Sequence, residues 1–130
     1  MGRYIDGYVL PVPRSRLPEY KRAVRAIANI WKEYGALDYV ELQGDDLSRE
    51  GTLPFPDLLS ASEDEVVVLG WVVFDSREAR DLANRKVEAD PRVAELVEPL
   101  LESPNPVFNP ERMAYGGFRP LIPSSGEDAE

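Results

Sequence analysis

The side chains of this chain that stand out as candidates for chemistry are few, and most sit on strand-like segments. Asp6 lies between Tyr4 and Tyr8. Tyr39 stands two residues before Glu41, and Arg112 three residues before Tyr115. The 130 residues include no histidine and no cysteine. That removes the commonest general base, the thiolate nucleophile and the thiolate and imidazole metal ligands. Acid–base work is left to Asp, Glu, Lys, Tyr and Arg. A carboxylate desolvated within a strand can serve as a base with a raised pKa, and Asp6 is placed for that. The competing reading is a structural ion pair with Arg112 or Arg119 on the adjacent last strand. Tyr39 and Glu41, two apart, share one strand face. With Tyr115 they could form the polar ends of a pocket between sheet and helices, or else a cross-strand pair at a sheet edge or dimer seam. Trp71 and Trp31 could face a flat aromatic ligand, or simply be core. The candidate ligand-binding set is therefore Asp6, Tyr39, Glu41, Trp71, Arg112 and Tyr115, with no catalytic residue assigned.

Other groups carry less. Arg80 and Asn84, one helical turn apart, could hold an anion or anchor a loop. Asn29 falls on the polar arc of a helix. Asp45-Asp46 is too sparse for a metal site, which needs more oxygen ligands at set spacing, so neither metal nor cofactor is expected. Gly116-Gly117 is not followed by the strand-to-helix context of a phosphate loop.

These side chains depend on a β-α-β-β-α-β framework. Tyr4 to Val12 reads as a strand ended by Pro11 and Pro13, which cannot donate to a ladder. Apolar positions 17, 20, 24, 27, 28 and 31 then fill an arc of roughly 160° at about 100° per residue, the stripe of a long amphipathic helix. Ser15 is its expected N-cap and Gly35 its C-terminal stop. Leu37 to Gln43 is a second strand. Residues 47–62, with Gly51, Pro54 and Pro56 and no clear period, read as an exposed loop or arm. Residues 65–74 form a third strand. Asp75 to Glu78 reads as a capping box opening a second helix, with Ala79, Leu82, Ala83 and Val87 as its stripe. Asp90-Pro91 opens a short third helix, and four prolines make 98–111 irregular. Met113 to Leu121 is the last strand.

The third strand, Val66-Val67-Val68-Leu69-Gly70-Trp71-Val72-Val73-Phe74, does not alternate apolar with polar residues. Both of its faces must be covered. Right-handed crossovers put the first and third strands at the centre of an antiparallel sheet with both helices on one side. The other face would be an apolar surface too large for a soluble monomer. Face-to-face pairing of two copies covers it. The expected architecture is α+β: a single ferredoxin-like βαββαβ domain over residues 1–121, with a four-stranded antiparallel sheet, paired as a dimeric α+β barrel. Residues 122–130 form an acidic, flexible tail.

Four segments in order resemble a known family. They are Tyr4 to Pro13 (YIDGYVLPVP), Tyr34 to Glu41 (YGALDYVE), Asn84 to Arg92 (NRKVEADPR) and Arg112 to Phe118 (RMAYGGF). Gly44-Asp45-Asp46 and Phe55-Pro56 fit as well. The chain resembles, from about residue 3 to 121, the YbaA-like family of domains of unknown function. The resemblance implies membership of the dimeric α+β barrels, and hence the same dimer. The family carries no established activity. Many members have His where this chain has Tyr34, so no role of that imidazole carries over. The wider superfamily includes cofactor-independent oxygenases of aromatic metabolites, haem-degrading enzymes and chlorite dismutases. The proximal histidine of the haem enzymes has no counterpart here.

Charge and hydropathy narrow the partners. With 24 acidic against 15 basic residues, the net charge is −9. Nucleic acid and anionic membrane both need a basic footprint and are not expected partners. No apolar run is long enough to span a bilayer, and the N-terminus lacks a signal-peptide pattern. A cytoplasmic location is the expectation. The expected function is a homodimer that binds a small apolar ligand or is structural. The alternative is a cofactor-independent oxygenase-like enzyme acting on a hydrophobic aromatic metabolite.

Overall fold

The computed structural model describes residues 2–102 and 104–123. Most of the expected acidic tail lies outside the described residues. The principal elements are β1 (Tyr4–Pro13), α1 (Leu17–Glu33), β2 (Asp38–Gln43), α2 (Phe55–Leu59), β3 (Glu65–Phe74), α3 (Arg77–Ala89), α4 (Pro91–Leu101) and β4 (Ala114–Phe118). The strands form one antiparallel sheet in the order β2-β3-β1-β4. The two strands richest in apolar residues are thus central, and the ferredoxin-like α+β fold read from the sequence is the fold observed.

Local chemistry explains most boundaries. Residues 14–16 form a 3-10 turn that feeds directly into α1, so Ser15 is not its cap. Arg16 holds that position without a side-chain cap bond. α1 ends where Gly35 adopts φ +114°, a conformation that costs glycine little. Ser76 caps α3 by accepting from the Ala79 N–H at 3.1 Å. The cap is therefore one residue later than the expected Asp75–Glu78 box. Asp90 caps α4 by accepting from the Arg92 N–H at 2.9 Å.

Four segments differ from the sequence reading. β1 is not ended at Pro11 but runs on to Pro13, still paired with Val67 to Glu65 of β3. The 47–62 arm contains α2, a five-residue helix too short to leave a periodic signal. α4 continues through Pro99 to Leu101. Pro99 cannot bond the Glu95 carbonyl, but both residues are exposed, so water can satisfy it, while Val97 and Leu100 pack inward. β4 is shorter than expected, ending at Phe118.

Alternation sorts the sheet into two surfaces. Tyr8, Leu10, Val12, Val66, Val68, Val72 and Phe74 join Tyr20, Ala83 and Leu100 in the helix-side core. The other surface carries Ile5, Val9, Val40, Leu42, Leu69, Trp71, Val73 and Phe118. Its central residues are only half-buried, and Leu42 and Phe118 are exposed. One end is tied to the arm: the Arg112 guanidinium donates to the carbonyl of Ser60, which ends α2, at 3.0 Å and is paired with Glu65.

Candidate functional site

One cross-strand row organises the helix side of the sheet. Glu41 on β2 faces Gly70 on β3, Gly70 faces Tyr8 on β1, and Tyr8 faces Tyr115 on β4. Because Gly70 has no side chain, the Tyr8 ring lies across its backbone. The phenol thereby reaches the Glu41 carboxylate, donating at 2.5 Å. Tyr20, from the first turn of α1, donates to the other carboxylate oxygen at 2.7 Å. Tyr39, two residues before Glu41 on the same face, makes a longer 3.5 Å contact. The Tyr115 ring stacks on Tyr8 with centroids 5.8 Å apart and an interplanar angle of 14°.

These groups wall a half-open cavity of about 170 Å³ between the sheet, α1 and α4. Its remaining wall is apolar, and includes Leu10, Val24, Ile27, Trp31, Val97 and Phe108. Burial foremost, and then the neighbouring negative charge, pushes the Tyr8, Tyr20 and Tyr39 phenols well above the ordinary tyrosine range. They are therefore neutral donors to Glu41. A cavity near 150 Å³ with apolar walls suffices for one benzene ring.

Asp6 is fully buried, but it is not in the cavity wall. Its partner is neither Arg112 nor Arg119. Arg80 of α3 donates to Asp6 Oδ1 at 2.7 Å, and the Tyr115 hydroxyl to Oδ2 at 2.7 Å. Asp6 points to the helix side, where α3 supplies the cation. Arg112 lies ahead of β4 and is engaged by Glu65 at 2.6 Å. The Arg80 guanidinium also lies 4.8 Å above the Tyr4 ring. The Tyr115 ring is half-exposed, but its hydroxyl sits against the buried Asp6 carboxylate, and desolvation at that end together with the bond pushes the phenol up as well.

Of the six sequence candidates, the cavity brings together Tyr39, Glu41 and Tyr115. Asp6 stands directly behind Tyr115 as its acceptor. Trp71 is on the opposite sheet surface, and Arg112 is at the far end of the sheet. Trp31 does line the cavity, packing edge-on against Phe74 at 6.0 Å. Tyr8 and Tyr20 are site residues that sequence reasoning assigned only to a strand and to a helix stripe. The signal existed in part, since Tyr8 and Glu41 meet only once the β1–β3–β2 register is known. Tyr34 donates to Asp90 at 2.7 Å, joining the end of α1 to the start of α4 away from the cavity. Among the described residues no group of three or more acidic side chains is arranged to hold a metal, and no helix is long and apolar enough to cross a membrane.

The sheet, its helices and the half-open cavity between them define a ferredoxin-like α+β protein. The chain belongs to the family described as protein of unknown function (DUF1428), whose model matches residues 3–102. It is 36% identical over 120 residues to the uncharacterized protein YbaA of Escherichia coli K12, covering 92% of this chain and 97% of that one. Solved structures that share its fold at lower identity include the following two. One is a monooxygenase of Streptomyces coelicolor in complex with nanaomycin D (TM-score 0.53, 21% identity, 95% of this chain and 94% of that chain). The other is a dimeric ferredoxin-like protein from an uncultured marine organism (TM-score 0.52, 11% identity, 94% and 96%).

Proposed function

We propose that this protein is a homodimer that binds a small aromatic molecule in the cavity between sheet and helices, with Glu41 as the polar anchor. The carrying observation is a carboxylate set in an otherwise apolar wall and held there by phenols. A carboxylate offers about four acceptor positions. Tyr8, Tyr20 and Tyr39 use three of them, which leaves room for a hydroxyl on the ligand. Burying a ring against Trp31, Ile27 and Phe108 supplies affinity, and the hydroxyl supplies orientation.

The dimer half of the proposal is supported by the second sheet surface. Trp71, Val40, Val73 and Leu69 are neighbouring apolar residues on that surface, all only half-buried. A patch of that kind is characteristic of an interface. A dimeric neighbour of the same fold is in keeping with it.

A second reading, cofactor-independent oxygenation of such a ligand, is favoured by one observation. Glu41 is the only carboxylate in the described cavity wall and could take the proton of an acidic phenol or enol. The test of binding is calorimetry with 2-naphthol on the native protein and on Val97→Phe, which fills the cavity. Binding of one naphthol per chain that is lost in Val97→Phe is the expected result. No binding to the native protein, or equal binding to both, overturns the proposal. Oxygen uptake on adding the naphthol distinguishes the enzyme reading from binding alone.

A further inference from the structure

A second concavity lies on the outer side of α1, along the edge strand β2. It is lined by Lys21, Arg25, Asn29 and Lys32, together with Tyr20, Val24, Ala28, Tyr39 and Glu41. Tyr20, Val24, Tyr39 and Glu41 also line the inner cavity. The Glu41–tyrosine cluster is thus a shared wall, apolar on one side and basic on the other.

The basic character of this groove runs against the rest of the molecule. The chain carries nine net negative charges, and Arg16, Arg77, Arg80, Arg92 and Arg112 are all engaged by acidic side chains. Lys21, Arg25 and Lys32, like Arg22 and other surface cations, are in no ion pair among the described residues; what distinguishes them is that they line one groove. No acidic residue stands three or four positions from any of them along α1, where an intrahelical partner would have to be. All three are exposed. They fall at intervals of four and seven residues, which keeps them on one side of the helix. The groove therefore holds three uncompensated cations against one carboxylate, Glu41, and that carboxylate already accepts from tyrosines.

We propose that the ligand of this site is an aromatic acid: its ring and hydroxyl occupy the inner cavity against Glu41, and a carboxylate arm passes the Tyr20–Tyr39 wall into the groove, held by Lys21, Arg25 and Lys32. The inference rests on the cavity reading above and adds the charge class of the ligand. An anionic arm gains from the three cations that line the groove, and that gain is screened by salt. The hydroxyl meets Glu41 on the cavity side of the shared wall, and the carboxylate meets the three cations on its groove side.

The test compares 2-naphthol with 6-hydroxy-2-naphthoate by calorimetry on the full chain. At low salt the naphthoate is expected to bind about tenfold more tightly, and the advantage to shrink in about 0.5 M salt. The triple variant Lys21→Ala, Arg25→Ala, Lys32→Ala should lose the advantage while binding 2-naphthol as before. Arg22→Ala, on the same helix but outside the groove, should keep it. Equal affinity for the two probes in the native protein, or an advantage that survives the triple variant, overturns this inference and leaves the cavity reading standing. Binding of neither probe overturns both.

Discussion

The Tyr8 ring lies flat over the backbone of Gly70, so closely that a Cβ at Gly70 would fall 2.6 Å from the Tyr8 hydroxyl and nearer still to its ring carbons. The glycine is what lets a phenol from β1 cross β3 and reach a carboxylate on β2. Gly70→Ala should displace the ring, break the Tyr8–Glu41 bond and cost about 1–3 kcal/mol, the usual range for overpacking a core. Tyr8→Phe keeps the ring and removes only the hydroxyl, losing about 1.5–3 kcal/mol for a bond to a charged acceptor. Denaturant unfolding measures both. An alanine at 70 that leaves stability unchanged would contradict the packing described.

Asp6 and Arg80 form the most deeply buried ion pair described, with side chains 0% and 13% exposed. Removing one partner strands the other charge, so Asp6→Ala should lose about 3–5 kcal/mol. It should also release the Tyr115 hydroxyl, which bonds the same carboxylate. In the background of Arg80→Met, the same alanine substitution should cost markedly less. Additive effects in the two-residue cycle would argue against the pairing.

The pH dependence has two limbs. Tyr8, Tyr20, Tyr39 and Tyr115 have folded-state pKa values raised above the ordinary value of 10.0. For a raised pKa the folded state holds more protons, so their stabilisation is complete below pH 10 and is lost as pH rises beyond it. Phenolate absorbance at 295 nm should therefore rise for these four only as the fold is lost. More than two of the six tyrosines ionising near pH 10 with an unchanged circular dichroism spectrum would contradict this.

On the acid side, Glu65 is held below its ordinary value by the bond from Arg112, and Asp90 by those from Arg92 and Tyr34. A lowered pKa contributes stability that is present above the unfolded value, near 4, and is lost as pH falls through the folded one. Arg112→Ala should thus flatten the acid limb of the stability curve. An identical limb in native protein and variant would remove Glu65 from the account.

Trp71 stands on the sheet surface away from the helices, where the proposed partner copy packs. Trp71→Glu places a charge in that interface and should yield monomers in size exclusion with light scattering, whereas Trp71→Phe should retain the dimer. A native protein that is monomeric at micromolar concentration would end the dimer proposal.

The fold was legible because its signals are local and strong. The unbroken apolar run of β3, the helical stripe of α1 and the Asp90-Pro91 cap each survive without knowledge of the neighbours. α2 and the last turn of α4 were not legible, since a five-residue helix has no period and Pro99 argues against the helix that packing maintains. Half of the site was legible for a related reason. Tyr39 and Glu41 are two apart on one strand, so their shared face needs no tertiary information. Tyr8 and Tyr20 join them only through strand register and helix packing. Asp6 reads from sequence either as a desolvated base or as half of an ion pair with Arg112 or Arg119; its cation comes instead from α3, a helix distant in sequence, while the adjacent strand supplies the Tyr115 hydroxyl.

What the sequence determined by itself was the order of elements, the central place of β3 and the excess of apolar surface on the sheet, because periodicity and burial follow from residue type along the chain. What only the tertiary structure decided was which face each group joins and which partner it meets. Trp71 and Glu41 lie on facing strands of the same sheet, yet the one-residue parity of the register sends the tryptophan to the open surface and the carboxylate into the cavity. The same register puts Gly70 opposite Tyr8, and the absence of a single Cβ there brings a phenol and a carboxylate from separate strands together.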